Sequence, residues 1–216
     1  LKGLPSKTSK VTTFSTSSYA PSSLNAIICR TNATAFEYFF KFHSYLNGEK
    51  KIRLEVDGKR SKDIFSGIFQ LRANKRPTCK ELQNFSSYQE LVDHIQVFGE
   101  VEGATTELKT FLDLTNQYSW QVIEWALENS MADDETDPKN TLVISTSHKS
   151  KGLEWDNVLI AKGFNYKILD KKLMISADEK RLLYVTVTRA KNILFTDGIN
   201  DLLEHLNSKN MEISNA

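Results

Sequence analysis

The chain has 216 residues, of which 40% are hydrophobic, 10% aromatic and 25% charged, and this composition excludes a wholly disordered chain, a collagen and a disulfide scaffold. Basic residues number 28 against 27 acidic ones, which gives a net charge of +1, and no run approaches the roughly 18 apolar residues of a membrane-spanning helix. We therefore expect no membrane partner and a cytoplasmic location, or a nuclear one in a eukaryote. Because the chain begins at Leu1 rather than Met, we also expect it to be part of something longer.

The first quarter of the chain predicts strands and a helix in alternation. Short β-branched runs predict strands at Val11–Phe14 and Asn25–Cys29, and alternating apolar side chains predict another at Ile52–Val56. Apolar residues recur at helical spacing from Ala33 to His43. Asp57-Gly58 predicts a turn that ends the third strand.

Residues 61–130 predict helices throughout. Ser61 is placed to cap the first of them, and Ser87 with Glu90 forms a capping box ahead of a second. Trp120 and Trp125 lie at helical spacing and are expected in the core. An acidic segment containing Pro138 then predicts a linker that leaves the helical block.

The remaining chain returns to strands and helices. Strands are predicted at Thr141–Ser145, Asn157–Ala161 and Asn192–Thr196, with a helix at Ala177–Ala190 and a last amphipathic helix from Ile199 to Leu206. This alternation on both sides of a helical block predicts an α/β fold with one parallel sheet. The sheet unit comprises residues 1–56 and 138–206, the helical insertion residues 57–137, and a frayed tail residues 207–216.

The balanced total charge conceals a local imbalance. Residues 41–80 hold 11 basic and 4 acidic side chains, net +7, whereas residues 81–137 hold 1 basic and 13 acidic ones, net −12. A polyanion is attracted to the first segment and repelled by the second. Lys59, Arg60 and Lys62 are the candidates for contact with duplex phosphates. The alternative is that both segments are solvated helix faces.

A loop that cradles nucleotide phosphates is absent from the sequence. The nearest approach to the G-x-x-x-x-G-K-[ST] pattern is Gly58-Lys59, which Arg60 follows. Asp178 and Glu179 imitate the acidic pair that holds magnesium, but they are better placed to start a helix, where carboxylates favour the positive end of the dipole. We therefore expect that this chain alone does not hydrolyse a nucleotide.

The densest group of polar residues follows a predicted strand, where α/β sheets bind ligands. Thr146 and His148 offer neutral hydrogen-bond donors, Lys149 and Lys151 offer charge, and Gly152 allows close backbone approach. Composition alone leaves a functional and a structural role equally open for such a loop.

Four segments, in order along the chain, resemble motifs of one family. The stretch Thr146-x-His148-x-x-Lys151-Gly152-Leu153-Glu154-Trp155 resembles motif V of the UvrD/Rep branch of superfamily 1 DNA helicases, and Glu179-Lys-Arg181-Leu-Leu-Tyr184-Val-Thr-Val-Thr188-Arg189-Ala190 resembles motif VI. Ala26-Ile-Ile-Cys-Arg30-Thr-Asn32 resembles motif IV, and residues 57–72 resemble the start of the inserted domain 2B. The Lys-Gly-Leu-Glu-Trp-Asp form and the short insertion are most similar to the F-box DNA helicase branch.

The resemblance implies that the chain is the second RecA-like domain, 2A, with a reduced 2B. In this family ATP with Mg2+ lies between two RecA-like domains, and the phosphate loop and magnesium carboxylate belong to the amino-terminal one, which would be a further part of the same protein. Arg30 and Arg189 would then reach the γ-phosphate as catalytic residues. Glu154 would bind the ribose, and Gly152 would allow the loop to approach the nucleotide.

The same resemblance implies a 3′-to-5′ motor on single-stranded DNA and on junctions of single and double strands. Thr146, His148 and Lys149 would contact the strand. The alternative function is a helicase-like binding module without ATPase activity. For Arg30 the alternative role is structural, as a cap on a carbonyl or the partner of a carboxylate.

Overall fold

The computed structural model describes residues 12–14, 20–46, 48, 50–98, 104–129 and 140–214. Within these ranges the main sheet has six strands, and every neighbouring pair is parallel. The strands are β1 (Thr12–Phe14), β2 (Ala26–Cys29), β3 (Lys51–Glu55), β4 (Thr141–Thr146), β5 (Trp155–Ile160) and β8 (Ala190–Phe195). Their order across the sheet is β1-β8-β5-β2-β4-β3.

Seven α-helices and a hairpin complete the described part of the chain. The helices are α1 (Asn32–Leu46), α2 (Gly58–Arg72), α3 (Tyr88–Phe98), α4 (Ala104–Gln117), α5 (Trp120–Asn129), α6 (Ala177–Val187) and α7 (Asn200–Ser214). The hairpin pairs β6 (Tyr166–Leu169) with β7 (Lys172–Ile175) in antiparallel register. The expected α/β architecture is therefore confirmed, but the hairpin was not predicted.

The strand order brings the polar loops to one edge of the sheet. All four residues of β2 are buried because β5 and β4 flank the strand and helices cover both faces. Parallel strands end at a common edge, so the segments that follow β2, β3, β4 and β5 lie together there. This carboxyl edge holds the loops beginning at Arg30, Val56, Ser147 and Ala161.

The helical insertion shares its core with the sheet. Phe65 of α2 is fully buried and makes edge-on ring contacts with Phe36 of α1, at 5.3 Å between centroids, and with Phe111 of α4, at 4.7 Å. One cluster of buried side chains runs from the sheet through α1 into all four insertion helices. A second cluster, on the other face of the sheet, contains α6, α7 and the inner face of the hairpin.

Several local predictions differ from the structure. Asp57, not Ser61, caps α2, because its carboxylate accepts the Arg60 N–H at 3.0 Å while the buried Ser61 hydroxyl donates to the Asp57 carbonyl at 2.8 Å. Asp57-Gly58 therefore begins a helix and is not a turn. Ser87 accepts the Glu90 N–H at 3.1 Å, as the capping box requires. The Glu90 carboxylate, however, accepts from the N–H and the hydroxyl of Ser86 and not from Ser87.

The extent of three helical predictions is also corrected. Residues 73–87 form turns and not a helix, α6 ends at Val187 so that Ala190 can begin β8, and α7 continues to Ser214 through the predicted tail. Residues 131–139 of the predicted linker lie outside the described residues. Trp120 packs on Phe69 as expected for a core residue, whereas Trp125 keeps 39% of its surface exposed at the edge of the core.

Because the insertion and the sheet share Phe65, we expect them to unfold in one transition. Phe65→Ala removes a fully buried ring and should lower the free energy of unfolding by about 3–5 kcal/mol. Urea unfolding followed by circular dichroism and by tryptophan fluorescence measures this, and the two probes should coincide. Val122→Ala, on an exposed position of α5, is the control and should change stability by less than about 0.5 kcal/mol. Two separate transitions, of which Phe65→Ala moves one, would contradict a shared core.

Candidate functional site

Four of the predicted site residues line one groove at the carboxyl edge of the sheet. This groove, called the His148 groove here, has a volume of about 280 Å³. Arg30, Thr146, His148 and Lys149 all border it, because β2 and β4 are neighbours and end at the same level. Its remaining wall consists of Thr31, Asn32, Asp57, Arg60 and Glu107.

Arg30 is held by a buried carboxylate. Its Nε donates to both carboxylate oxygens of Glu179, at 3.0 and 2.9 Å, and Glu179 is only 4% exposed. The same carboxylate accepts the Asn165 N–H at 2.8 Å. The Nη1 and Nη2 groups of Arg30 have no partner among the residues that the structure describes. The predicted structural role of Arg30 is thus present, and it leaves the terminal donors available for an anion.

Buried hydroxyl groups connect the three motif segments. Ser147, which is fully buried, donates its N–H to the Cys29 carbonyl at 2.9 Å, and its hydroxyl lies 3.2 Å from the same oxygen. The Thr186 hydroxyl of α6 lies 2.8 Å from Ser147 Oγ. These contacts tie the end of β2, the loop after β4 and helix α6 together, so that a shift in one segment displaces the others.

Thr146 and His148 differ in their access to the groove. Thr146 is 6% exposed, and its hydroxyl accepts the Lys149 N–H at 3.4 Å, so it mainly shapes its own turn. His148 and Lys149 are exposed. Partial desolvation lowers the pKa of His148, the positive charges of Arg30 and Lys151 lower it further, and Glu179 opposes the shift. The imidazole is therefore neutral at pH 7 and offers one N–H donor.

The other three predicted residues lie elsewhere. Arg189 donates from Nε to the Val185 carbonyl at 2.8 Å, from Nη1 to the Leu153 carbonyl at 2.9 Å, and from Nη2 to the Thr188 hydroxyl at 2.9 Å. Gly152, at φ +81°, has the left-handed backbone that glycine favours, and open space surrounds the position of a Cβ. Glu154, the next residue but one, is exposed.

The two candidate arginines lie at opposite ends of α6. Glu179, the partner of Arg30, is in the first turn of this helix, and Arg189 follows its last turn, ten residues later and about 15 Å along the axis. A groove of about 310 Å³, called the α6 groove here, extends from Arg30 along α6 as far as Val185. It is lined by Arg30, His148, Lys151, Asp178, Glu179, Arg181, Leu182 and Val185. Arg189 does not line it in this conformation.

Arg60 takes part in an ion-pair network and is not a free cation. Its guanidinium pairs with Glu107 of α4 at 2.9 Å and with Glu81 at 3.1 Å. Glu107 also accepts the Asn32 N–H at the start of α1, at 3.1 Å, and the Asn32 side chain accepts the Asp57 N–H at 3.1 Å. The expected contact of Arg60 with DNA phosphates therefore lacks support, while Lys59 and Lys62 are exposed.

Several residues of the site were not predicted. Glu179 was assigned to a helix start, which Ser176 indeed caps, and to the first position of the motif VI resemblance, but its pairing with Arg30 was not predicted. The buried serine and threonine hydroxyls, and Glu107, likewise act across long sequence separations. Among the described residues, no three His, Cys, Asp or Glu side chains converge as metal ligands. Nor does any helix in the described part of the chain have the length and apolarity to cross a membrane.

The sequence of residues 22–199 matches the model of the UvrD-like helicase C-terminal domain. The chain belongs to this family. The predicted resemblance to the carboxyl-terminal part of UvrD/Rep helicases is thereby confirmed, and the parallel sheet is consistent with the RecA-like 2A domain of the family.

Two curated relatives agree with the family. The chain is 28% identical over 194 residues to F-box DNA helicase protein 1 of Schizosaccharomyces pombe, and the aligned region covers 84% of this chain and 21% of that protein. It is 45% identical over 62 residues to the ATP-dependent DNA helicase Rep of Buchnera aphidicola subsp. Schizaphis graminum, and this aligned region covers 27% of this chain and 9% of that protein. The chain thus spans only a small part of either relative.

The electrostatic environment of His148 yields a prediction. A folded-state pKa below the usual value of about 6.5 means that the unfolded chain binds more protons near pH 6, so this group destabilises the fold as the pH falls below about 6.5. NMR titration of the imidazole should give a pKa below that value. Lys151→Gln removes a nearby positive charge and should raise the pKa.

The control for this titration is Lys180→Gln. Lys180 is exposed on α6 and is not among the charges that shift His148, so the pKa should stay unchanged. Equal shifts in both variants would contradict the assignment of Lys151 as a neighbour of the imidazole.

Proposed function

We propose that this chain is the 2A half of the motor of an ATP-dependent DNA helicase that moves 3′ to 5′ along single-stranded DNA. The observation that carries the proposal is the state of Arg30. Its Nε is fixed by a buried carboxylate, and Arg30 lines both the His148 groove and the α6 groove at the carboxyl edge of the sheet. A guanidinium anchored in this way is preorganised to stabilise negative charge that develops on a phosphoryl group.

The family provides the second support. A UvrD-like carboxyl-terminal domain matches most of the chain, and both curated relatives are named as DNA helicases. The described residues supply basic and hydroxyl groups but no cluster of acidic metal ligands. We therefore assign the phosphate loop and the Mg2+ ligands to an amino-terminal RecA-like domain in the longer protein. ATP bound between the two domains would supply the phosphoryl group that is transferred to water.

Individual residues receive the following roles. Arg30 contacts the γ-phosphate from the edge of the α6 groove, and Arg189 reaches the same nucleotide from the other end of α6 after it exchanges its carbonyl contacts for phosphate oxygens. Glu154 binds the ribose, and Gly152 allows the backbone of the loop to approach the nucleotide. Neutral His148 donates a hydrogen bond to a phosphate of the strand, with Lys149 beside it, while Thr146 holds the turn.

The hydrogen bonds of Arg189 favour the alternative function. With Nε, Nη1 and Nη2 all donating within the chain, Arg189 resembles a structural brace of the loop after β4. A non-motor binding module would keep such a brace permanently. The two functions therefore differ in what Arg189 does when nucleotide binds.

The first prediction is that the 216-residue chain alone has no ATPase activity, with or without single-stranded DNA. The chemistry needs a phosphate loop, whose pattern the sequence does not contain, and magnesium ligands, which do not converge among the described residues. Steady-state phosphate release should equal that of a mock purification. Turnover above this level that is lost in Arg189→Ala would instead reveal a complete site in this chain.

The second prediction separates the motor from the binding module in the full-length protein. Arg189→Lys should lower ATP turnover by on the order of a thousandfold and leave nucleotide affinity largely intact, because a planar guanidinium matters most in the transition state. Arg76→Lys is the matched control, since Arg76 is exposed after the end of α2 and lines neither the His148 groove nor the α6 groove. Turnover within a few-fold of wild type in Arg189→Lys would remove the catalytic role and support the structural brace.

A further inference from the structure

A third groove lies on the far side of Arg30 from His148. It has a volume of about 280 Å³ and runs between α1, α4 and the loop that joins β5 to β6; it is called the α4 groove here. Arg30, Thr31 and Glu107 line both this groove and the His148 groove. These three residues therefore form the boundary between the two grooves, which is called the ridge here. The wall of this groove that α4 forms lies outside all of the family motifs identified in the sequence.

The lining of the α4 groove is rich in cations and hydroxyl groups. Lys41 of α1 and Lys162 of the β5–β6 loop are exposed along it. The Thr31 and Thr34 hydroxyls lie 2.9 Å apart on one wall. The remaining lining residues are Glu37, Tyr38, Thr106, Thr110, Gly163 and Asn165.

The charges of this groove favour an anion. Arg30 and Glu107 are each held in an ion pair, with Glu179 and with Arg60, and the remaining charges of the lining are Lys41, Lys162 and Glu37, net +1. The only aromatic ring in the lining, Tyr38, is 8% exposed, so the groove offers no broad surface for a base to stack on. Ammonium groups and hydroxyls without a stacking surface match a sugar-phosphate backbone and carry no sequence preference.

We propose that the α4 groove binds the backbone of the same single DNA strand that passes His148, so that the strand crosses the Arg30–Glu107 ridge and continues along α4. This inference rests on the proposed function, because it assumes that a single strand occupies the His148 groove. Lys41 and Lys162 are its phosphate contacts, and Thr106 and Thr110 belong to the wall that the insertion contributes, where the Thr110 hydroxyl donates to the Thr106 carbonyl at 3.2 Å. The helical insertion is thereby part of the single-strand track in addition to any contact with duplex.

The continuity of the two grooves supports one ligand for both. They share the ridge residues, and both open at the carboxyl edge of the sheet. Each has a volume of about 280 Å³, near the lower end of the range for small-ligand cavities. A strand held in one groove has its next phosphates at the ridge, where the Nη1 and Nη2 groups of Arg30 have no partner within the described part of the chain.

The test is the salt dependence of single-strand binding by the full-length protein. Labelled oligothymidylate is titrated at several salt concentrations against wild type and Lys41→Gln/Lys162→Gln. Each lost phosphate contact should reduce the slope of log affinity against log salt by about 0.7, so the double variant should lose about 1.4. The double variant should bind the shortest oligonucleotides with the affinity of wild type. Its affinity should not increase with oligonucleotide length as that of wild type does.

The matched control is Lys171→Gln/Lys172→Gln. These two lysines are exposed at the turn of the hairpin, carry the same total charge and line none of the three grooves. Their loss should leave the slope within about 0.3 of wild type. An equal reduction in both double variants would overturn the proposal, because it would show a general effect of net charge.

His148→Ala separates this inference from the proposed function. If His148→Ala weakens binding while Lys41→Gln/Lys162→Gln keeps the wild-type slope and length dependence, the α4 groove proposal is overturned and the proposed function stands. If wild type does not bind the oligonucleotide at any salt concentration, both are overturned. Weaker binding in both variants, with the slope reduced only in the lysine variant, supports both.

Discussion

The ion pair between Arg30 and Glu179 is the constraint on which the functional edge of this protein depends. Burying the Glu179 carboxylate is costly, and the cost is offset only because Arg30 and the Asn165 N–H satisfy its oxygens. Loss of one partner from a fully buried pair typically costs about 3–5 kcal/mol, and the cost here is smaller because the Arg30 side chain is 30% exposed. The pair fixes the turn after β2, the start of the hairpin and the first turn of α6 relative to one another.

The position of Arg30 gives this ion pair its wider importance. Arg30 borders all three grooves at the carboxyl edge, so one guanidinium faces the proposed nucleotide side and the proposed strand side at once. The buried contact between Ser147 and Thr186 links the same segments a second time, through hydroxyl groups and without charge. A displacement of α6 therefore cannot leave the loop after β4 unchanged. This physical connection is what a coupling of nucleotide state to strand position requires.

The sequence predicted most of the sheet because parallel strands are short apolar runs, and β2 is buried at all four residues. It also predicted the loop after β4, since polar residues at the end of such a strand are a local pattern. It did not predict that Asp57 would replace Ser61 as a cap, because both residue types cap helices and only the backbone decides between them. The partners of Arg30 and Arg60 were hidden for another reason. Glu179 and Glu107 are 149 and 47 residues away from them, and no local rule pairs charges over such distances.

The bond from Glu107 to the start of α1 also has a mechanical consequence. Glu107 belongs to the insertion and Asn32 lies two residues after Arg30, so a load on α4 is transmitted across one hydrogen bond to the turn that carries the guanidinium. The shared aromatic core behind α4 resists that load, since Phe65 and Phe111 cannot separate without exposing their rings. Helix α4 is therefore packed in the aromatic core on one side and bonded to the turn that carries Arg30 on the other. If DNA lies along α4 as proposed, a pull on the strand acts directly on the turn that carries this guanidinium.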